Sequence, residues 1–162
     1  MASTTYVSAC ELDRLMAVMD AAFDPLYGEA WTRRQVEDAL LVGNCQYFLI
    51  SKNGNPPFAD EDAAGFVLSR NTVEEEELLL FAVMPEYRRR GLGQNMLEKL
   101  VGNALNRGAI KLLLEVRNNN PAQSLYLNFG FKPVGSRPNY YKLSDGSRLD
   151  ATTFSLSLLD RN

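Results

Sequence analysis

The six residues Arg88-Arg89-Arg90-Gly91-Leu92-Gly93 lie between a strand-like run, Glu77-Leu78-Leu79-Leu80-Phe81-Ala82-Val83, and a helix-like run from Gln94 to Arg107. A glycine-bearing turn that opens a helix points several backbone N–H groups without intrahelical acceptors at one place. The helix dipole adds positive potential there. The junction therefore reads as a cradle for an anion with more than one phosphate. The same residues could also make a tight structural turn with solvated arginines, because so short a pattern recurs widely by chance.

The chain has 162 residues, 46% hydrophobic and 23% charged, enough for one core and short for two, so a single domain over residues 1–162 is expected. A formal charge of −3 supplies no overall basic field, which argues against nucleic acid as a partner. Cys10 and Cys45 are too few for a disulfide framework and have no metal-ligand spacing, so both are expected as reduced core thiols. The sequence contains no histidine, which removes Ser-His and Cys-His nucleophilic catalysis and most zinc sites. No metal is expected, and acid–base work falls to Glu, Asp, Tyr, Lys or Cys. Met1 to Cys10 lacks the basic-then-apolar profile of a signal peptide, and no stretch approaches the roughly 18 apolar residues of a membrane span. A cytoplasmic protein without membrane association is the expectation.

Along the chain, a short strand is expected at Thr4 to Val7. Ser8-Ala9-Cys10-Glu11 then has a capping-box pattern that opens a helix carrying Leu12, Leu15, Met16, Met19 and Phe23, ending near Asp24-Pro25. Thr32-Arg33-Arg34-Gln35 opens a second helix to about Leu41, and the loop from Pro25 to Trp31 is available to line a site. Strands are expected at Gln46 to Ser51, Ala64 to Arg70, up to Val83, and Lys111 to Val116. The helix after the arginine turn buries Leu92, Met96, Leu97, Leu100, Ala104 and Leu105 and stops at Gly108. A helix from Pro121 to Phe129 and two strands, Phe131 to Tyr141 and Asp150 to Leu159, paired around Asp145-Gly146, complete the order β-α-α-β-β-β-α-β-α-β-β. That order is an α/β domain with a mixed sheet of α+β type, not a repeating βαβ array.

At Arg88 to Gly93 the chain resembles the pyrophosphate loop of the GNAT acyltransferase superfamily, whose pattern is Gln/Arg-x-x-Gly-x-Gly/Ala. Glu115-Val116-Arg117, Asn119-Asn120-Pro121-Ala122, Leu125-Tyr126 and Phe129-Gly130-Phe131 are similar to the family's C-terminal half. A narrower likeness is carried by Glu115, Tyr126, Arg137-Pro138-Asn139-Tyr140-Tyr141, Asp150-Ala151 and Glu29-Ala30-Trp31-Thr32. It is to the RimI branch, enzymes that acetylate the N-terminal alanine of a small-subunit ribosomal protein. The resemblance implies the GNAT acyl-CoA N-acyltransferase fold with splayed central strands, acetyl-CoA as co-substrate, and direct attack of an amine on the thioester. The implied acceptor and partner is the α-amine of a protein N-terminus, in the RimI branch a ribosomal one. A small-molecule amine or a lysine side chain is the alternative within the family, and a non-catalytic acyl-CoA-binding sensor or partner subunit the alternative outside it. Monomer and homodimer are both compatible.

The chemistry needs a proton acceptor, because an α-amine of pKa about 8 is mostly protonated at neutral pH. Glu115, at the C-terminal end of a strand made of Leu112, Leu113, Leu114 and Val116, is the candidate base, directly or through a water. An ion pair with Arg117 or a neighbouring strand is the ordinary alternative. Tyr126 is the candidate acid that returns a proton to the leaving thiolate. Its place in the stripe Ala122, Leu125, Tyr126 and Phe129 by itself favours core, and the resemblance reverses that preference. Glu115 and Tyr126 stand eleven positions apart, one fewer than the resemblance implies. Asn119 and Asn120 therefore compete for one cofactor contact. Distance from Glu115 favours Asn120 and distance to Ala122 and Tyr126 favours Asn119, while either would suit a cap for the helix that Pro121 begins.

On the same resemblance Phe81, Ala82 and Val83 offer backbone groups to the pantetheine arm, and Arg88, Arg89, Arg90, Gly91, Leu92, Gly93 and Gln94 hold the pyrophosphate. An acceptor groove is expected from Phe23 to Trp31 and from Arg137 to Tyr141. Trp31, Arg137, Tyr140 and Tyr141 are its candidate substrate contacts, although the tyrosines could equally be strand core. The run Glu74-Glu75-Glu76-Glu77 is expected as a solvated hairpin edge that discourages strand pairing.

Overall fold

The computed structural model describes residues 7–161. Ser8 caps helix α1 (Ala9–Ala22), its Oγ accepting the Glu11 N–H at 3.1 Å. After one 3-10 turn at Pro25–Tyr27 the chain reverses at Gly28, whose φ of 61° lies in the left-handed region that glycine enters without penalty. Helix α2 (Arg33–Val42) begins with a reciprocal capping box between Thr32 and Gln35. Helix α3 (Leu92–Asn106) follows the arginine turn and α4 (Gln123–Phe129) follows the asparagine run.

Six strands, β1 (Cys45–Ile50), β2 (Gly65–Thr72), β3 (Glu75–Val83), β4 (Lys111–Arg117), β5 (Lys132–Lys142) and β6 (Arg148–Ser157), form one sheet in the order β1-β2-β3-β4-β6-β5. Every neighbouring pair is antiparallel except β3 and β4. One core cluster joins α3 and α4 to Leu112, Leu114, Phe131 and Phe154; the other joins α1 and α2 to Leu49, Phe66, Leu68 and Leu80. The two helix pairs thus bury opposite faces of the sheet.

The feature that shapes the site is where the parallel pairing stops. β3 and β4 are in register only from Glu75↔Lys111 to Leu78↔Leu114. Beyond that point β3 stays paired with β2 to Val83, and β4 stays paired with β6 to Arg117, so the two halves of the sheet part. The register of β2 against β3 jumps from Leu68↔Leu80 to Ser69↔Leu78, leaving Leu79 as an extra residue. Such a bulge bends its strand and sharpens the local twist, and it falls where β3 leaves β4. It also inverts the alternation: Leu78 packs on the α3 side and Leu80 on the α1 side.

Several boundaries differ from the sequence expectations. Thr4 to Tyr6 of the first expected strand lie outside the described residues, and Val7 is in no strand. Helix α4 starts at Gln123 and not Pro121, because Asn120 Oδ1 accepts the Ala122 N–H at 2.9 Å and holds residues 120–122 in a turn. Cys45 is buried, but Cys10 is exposed on α1. The acidic run is not a solvated edge throughout. Glu76 has no exposed surface and is bonded by Ser69 Oγ at 2.7 Å and by Arg107, whose Nε donates at 3.1 Å and whose Nη2 also donates. A carboxylate in mid-sheet persists only when so compensated. Its neighbours Glu75 and Glu77 pair with Lys111 and Arg70.

Candidate active site

Where β3 and β4 separate, a cleft of about 320 Å³ opens. β3 lines it with residues 77–81 and β4 with Leu114, Glu115 and Val116. Tyr126 of α4 and Asn120 before it add one wall, and Phe23, Gly28, Glu29 and Trp31 of the α1–α2 connection add another. Tyr140 and Tyr141 of β5 close the side opposite. Glu115, Tyr126, Trp31, Tyr140 and Tyr141, scattered through the sequence, are therefore brought to one opening. Ala82 and Val83 lie just beyond the lining and pair with Phe66 and Gly65 of β2.

Glu115 sits opposite Thr153 in the sheet, with its side chain 19% exposed at the mouth of the cleft. Its carboxylate is not among apolar groups alone. Arg137 Nε lies 2.6 Å from Oε1, so the ion-pair alternative is realised, with an arginine of β5 and not with Arg117. The charge of Glu115 pushes the Tyr140 phenol above its ordinary value, burial and a hydrogen bond to the same carboxylate adding to it.

Tyr126 serves both readings the sequence left open. It is 6% exposed and packs edge-on against Phe81 and Phe131, with ring centroids 6.0 and 5.7 Å away, and it also lines the cleft. Burial raises its phenol well above the usual range, with Glu29 and then Tyr141 contributing smaller negative fields. Tyr140 and Tyr141 are not strand core: Tyr140 is 47% exposed, and burial followed by Glu29 and Glu115 raises Tyr141.

The pairing of Glu29 with Arg117 is what sequence reasoning missed. Arg117, 9% exposed, donates from Nε to Glu29 Oε1 at 2.8 Å and from Nη1 to Asn119 Oδ1 at 2.6 Å, and its guanidinium carbon lies 3.5 Å from the Tyr27 ring centroid. This cluster fastens residues 27–29 to the end of β4. No local pattern could have found it, since Glu29 and Arg117 are 88 residues apart. It also separates the two asparagines. Asn119 is engaged by Arg117, while Asn120 lines the cleft and caps its own turn.

At the cradle, Arg89 and Gly91 both have positive φ, 61° and 80°, and Gly91 precedes the first residue of α3. No side chain caps that end, and the first helical bond runs from the Asn95 N–H to the Gly91 carbonyl. The N–H groups of Leu92, Gly93 and Gln94 therefore have no acceptor within the helix. The two glycines differ. A Cβ on Gly91 would meet nothing within 4 Å, whereas one on Gly93 would lie 2.8 Å from Leu125 Cδ2. Gly91 leaves open space before the helix end, and Gly93 lets α3 and α4 touch. The arginines divide likewise. Arg88 is occupied internally, donating to the Val83 and Ala22 carbonyls at 3.1 and 3.0 Å; Arg90 stacks on Tyr87; Arg89 is exposed. An uncapped helix end beside a cleft that reaches a carboxylate and a phenol fits an elongated pyrophosphate-bearing molecule whose reactive end lies between them.

Residues 12–131 match the model of the acetyltransferase (GNAT) family. The [ribosomal protein bS18]-alanine N-acetyltransferase of Salmonella typhimurium is 38% identical over 101 residues, 62% of this chain and 68% of that protein. The protein of the same description from Escherichia coli K12 is 37% identical over 112 residues, 68% of this chain and 70% of that one. The crystal structure of the ribosomal-protein-S18-alanine N-acetyltransferase from Escherichia coli superposes with a TM-score of 0.77 at 28% identity, covering 97% of this chain and 94% of that one.

Proposed function

The chain belongs to the GNAT family of acetyl-CoA-dependent N-acetyltransferases, and we propose that its acceptor is the α-amine of an N-terminal alanine on a ribosomal protein. The observation that carries the assignment of roles is the position of Glu115, the first residue of β4 beyond its pairing with β3, in one cleft with Tyr126. Acetyl-CoA supplies an activated thioester: the amine nitrogen forms a bond to the acetyl carbon, the carbon–sulfur bond breaks, and amide, thiol and one proton result.

Glu115 accepts the proton that the arriving ammonium must lose, directly or through a water. Tyr126 faces the departing sulfur. Because burial holds this phenol far above the thiol range, full proton transfer to a thiolate is uphill, and its part is to donate a hydrogen bond to the sulfur as charge develops there. The N–H groups of residues 92–94, with Gly91 and Arg89, receive the pyrophosphate, and the β3 edge from Phe81 receives the pantetheine arm. Asn120, better placed than Asn119, adds a polar contact along it. Trp31, Tyr140 and Tyr141 wall the acceptor side, with Arg137 beside them. With a ribosomal protein as acceptor, the reaction takes place in the cytoplasm.

Removing the hydroxyl of Tyr126 tests its part cleanly, since phenylalanine fills the same packed site. Tyr126→Phe should lower kcat by about ten- to a hundredfold with coenzyme A affinity retained, in steady-state kinetics and calorimetry. The raised phenol also sets an expectation for pH. kcat/KM should show no decline through Tyr126 ionisation at about pH 10, where an ordinary phenol is half ionised. A decline centred there that Tyr126→Phe abolishes would refute this role.

One observation favours a second reading, a small polycationic amine: three carboxylates, Glu29, Glu77 and Glu115, line the cleft. Each is already paired, with Arg117, Arg70 and Arg137 respectively, so little negative charge is left over. An acetyl-transfer assay on peptides beginning Ala, Ser, Met and Gly, with polyamines and an internal-lysine peptide alongside, decides between them. The alanine peptide should be preferred by at least about tenfold in kcat/KM; faster transfer to a polyamine or to the lysine overturns the acceptor assignment.

A further inference from the structure

Glu115 already holds a cation, and the way β5 is built provides it. The pairing of β5 with β6 breaks between Arg137 and Tyr141, and Asn139 within the break has φ +54°. The distortion is tied down on β6: the Asn139 N–H donates to Asp150 Oδ1 at 2.8 Å and the Asn139 carbonyl accepts from Arg148 Nη1 at 3.4 Å. Residues 138–140 thereby stand out of the ladder, and Arg137 and Tyr140 come together at Glu115, the guanidinium carbon 5.4 Å from the Tyr140 ring centroid. Asparagine is the non-glycine residue best suited to the left-handed region, and its two bonds to β6 hold the break in place.

The three arginine–glutamate pairs of the cleft are unequal. Arg117 and Glu29 are 11% and 15% exposed, a pair that opens only by leaving charge buried. The Arg137 side chain is 60% exposed and can swing into water, while Glu115, 19% exposed, remains at the mouth. Resting on the reading of Glu115 as the base, we infer that Arg137 is a positioning residue and an exchangeable counter-cation for Glu115. Its guanidinium holds the carboxylate between turnovers and gives up its place to the ammonium form of the acceptor.

The exchange keeps the charge of the mouth constant: one cation leaves Glu115 as another arrives. The ammonium proton then passes to the carboxylate, and the neutral amine bonds to the acetyl carbon as the carbon–sulfur bond breaks. Its second proton ends on the departing sulfur as thiol, and the carboxyl proton is lost to solvent as Arg137 pairs again. Arg137 on this account competes with the acceptor and does not bind it. The sign of one measurement follows.

The test compares wild type, Arg137→Gln and Arg137→Lys, using whichever amine of the panel the wild type acetylates fastest. Acceptor affinity for the enzyme–coenzyme A complex is measured by calorimetry, and KM and kcat by steady-state kinetics. Removing the competitor should tighten acceptor Kd and lower KM by about two- to fivefold, the range of an exposed ion pair, with kcat lower because Glu115 loses its brace. Arg137→Lys, which keeps a cation, should stay near wild type. A merely structural loosening of β5 would weaken the acceptor Kd, so only loss of a competitor tightens it; KM, which also falls when kcat falls, is read beside it. An unchanged or weakened acceptor affinity in Arg137→Gln overturns the inference. Failure of the parent reading looks different: normal turnover in Glu115→Gln, or no transfer to the alanine peptide, involves no substitution at Arg137.

Discussion

Glu115→Gln should lower turnover by about two or more powers of ten while coenzyme A affinity stays within about twofold of wild type. The substitution keeps size and hydrogen-bonding capacity and removes the negative charge, and with it the ability to take a proton. It leaves Arg137 without its charge partner, but that side chain is 60% exposed, so the fold should lose little. The defect should also depend on pH in one direction. At neutral pH most of an α-amine of pKa about 8 is protonated and needs a base; above that value it arrives already neutral. The ratio of wild-type to Glu115→Gln rates should therefore shrink as pH rises through about 8 to 9. A rate ratio near one at pH 7 would remove Glu115 from the mechanism, and a large ratio unchanged with pH would assign it to binding the acceptor instead.

The second large effect is expected at Gly91. Gly91→Leu should weaken coenzyme A binding by at least about a hundredfold, roughly 3 kcal/mol, as read by calorimetry. The reason is the space before the helix end: a Cβ there meets no protein atom within 4 Å, so a side chain extends into the space the ligand would use. A cost of roughly 1–2 kcal/mol in stability should accompany it, because φ is +80°. Gly91→Ala separates the two effects, having the same backbone strain with far less intrusion. Equal loss of coenzyme A binding in both would trace the defect to the backbone, and normal binding in Gly91→Leu would refute the cradle. Gly93 offers no such test, since its Cβ would lie 2.8 Å from Leu125 and disturb the α3–α4 contact before any ligand arrived.

Local signals in the chain were sufficient for most of the elements. Capping residues Ser8 and Thr32 start α1 and α2 as their side chains dictate, and Gly108 and Gly130, with φ of +86° and +120°, end α3 and α4. Alternating or continuous apolar runs located β1 to β4, and Asp145-Gly146 located the turn between β5 and β6. Where the expectation failed, a long-range partner was responsible. Glu76 looked like one of four solvated glutamates, and only Arg107, 31 residues away, and Ser69 make its burial tolerable.

The site was legible to different depths. The glycine turn could be named from its own pattern, and Glu115 and Tyr126 through the family resemblance of the stretches they lie in. The meeting of Glu115 and Tyr126 in one cleft leaves no local signal, because it depends on an extra residue at Leu79 and on a parallel register that ends at Leu78 and Leu114. The ion pairs that dress the cleft were equally hidden. Arg117 is a near neighbour of Glu115 in the chain, yet its partner is Glu29, and Glu115 is held by Arg137.

Sequence alone therefore determined the order of elements from α1 to β6, the glycine turn that opens α3, and, through its lack of histidine, the short set of Glu, Asp, Tyr, Lys and Cys left for acid–base work. These follow from dihedral preferences, capping and side-chain chemistry, which act over a few residues. Tertiary structure decided where the sheet opens, which carboxylate faces the opening, and which arginine attends it. Those choices rest on strand register and on charge pairs closed across tens of residues, and neither leaves a local trace in the chain.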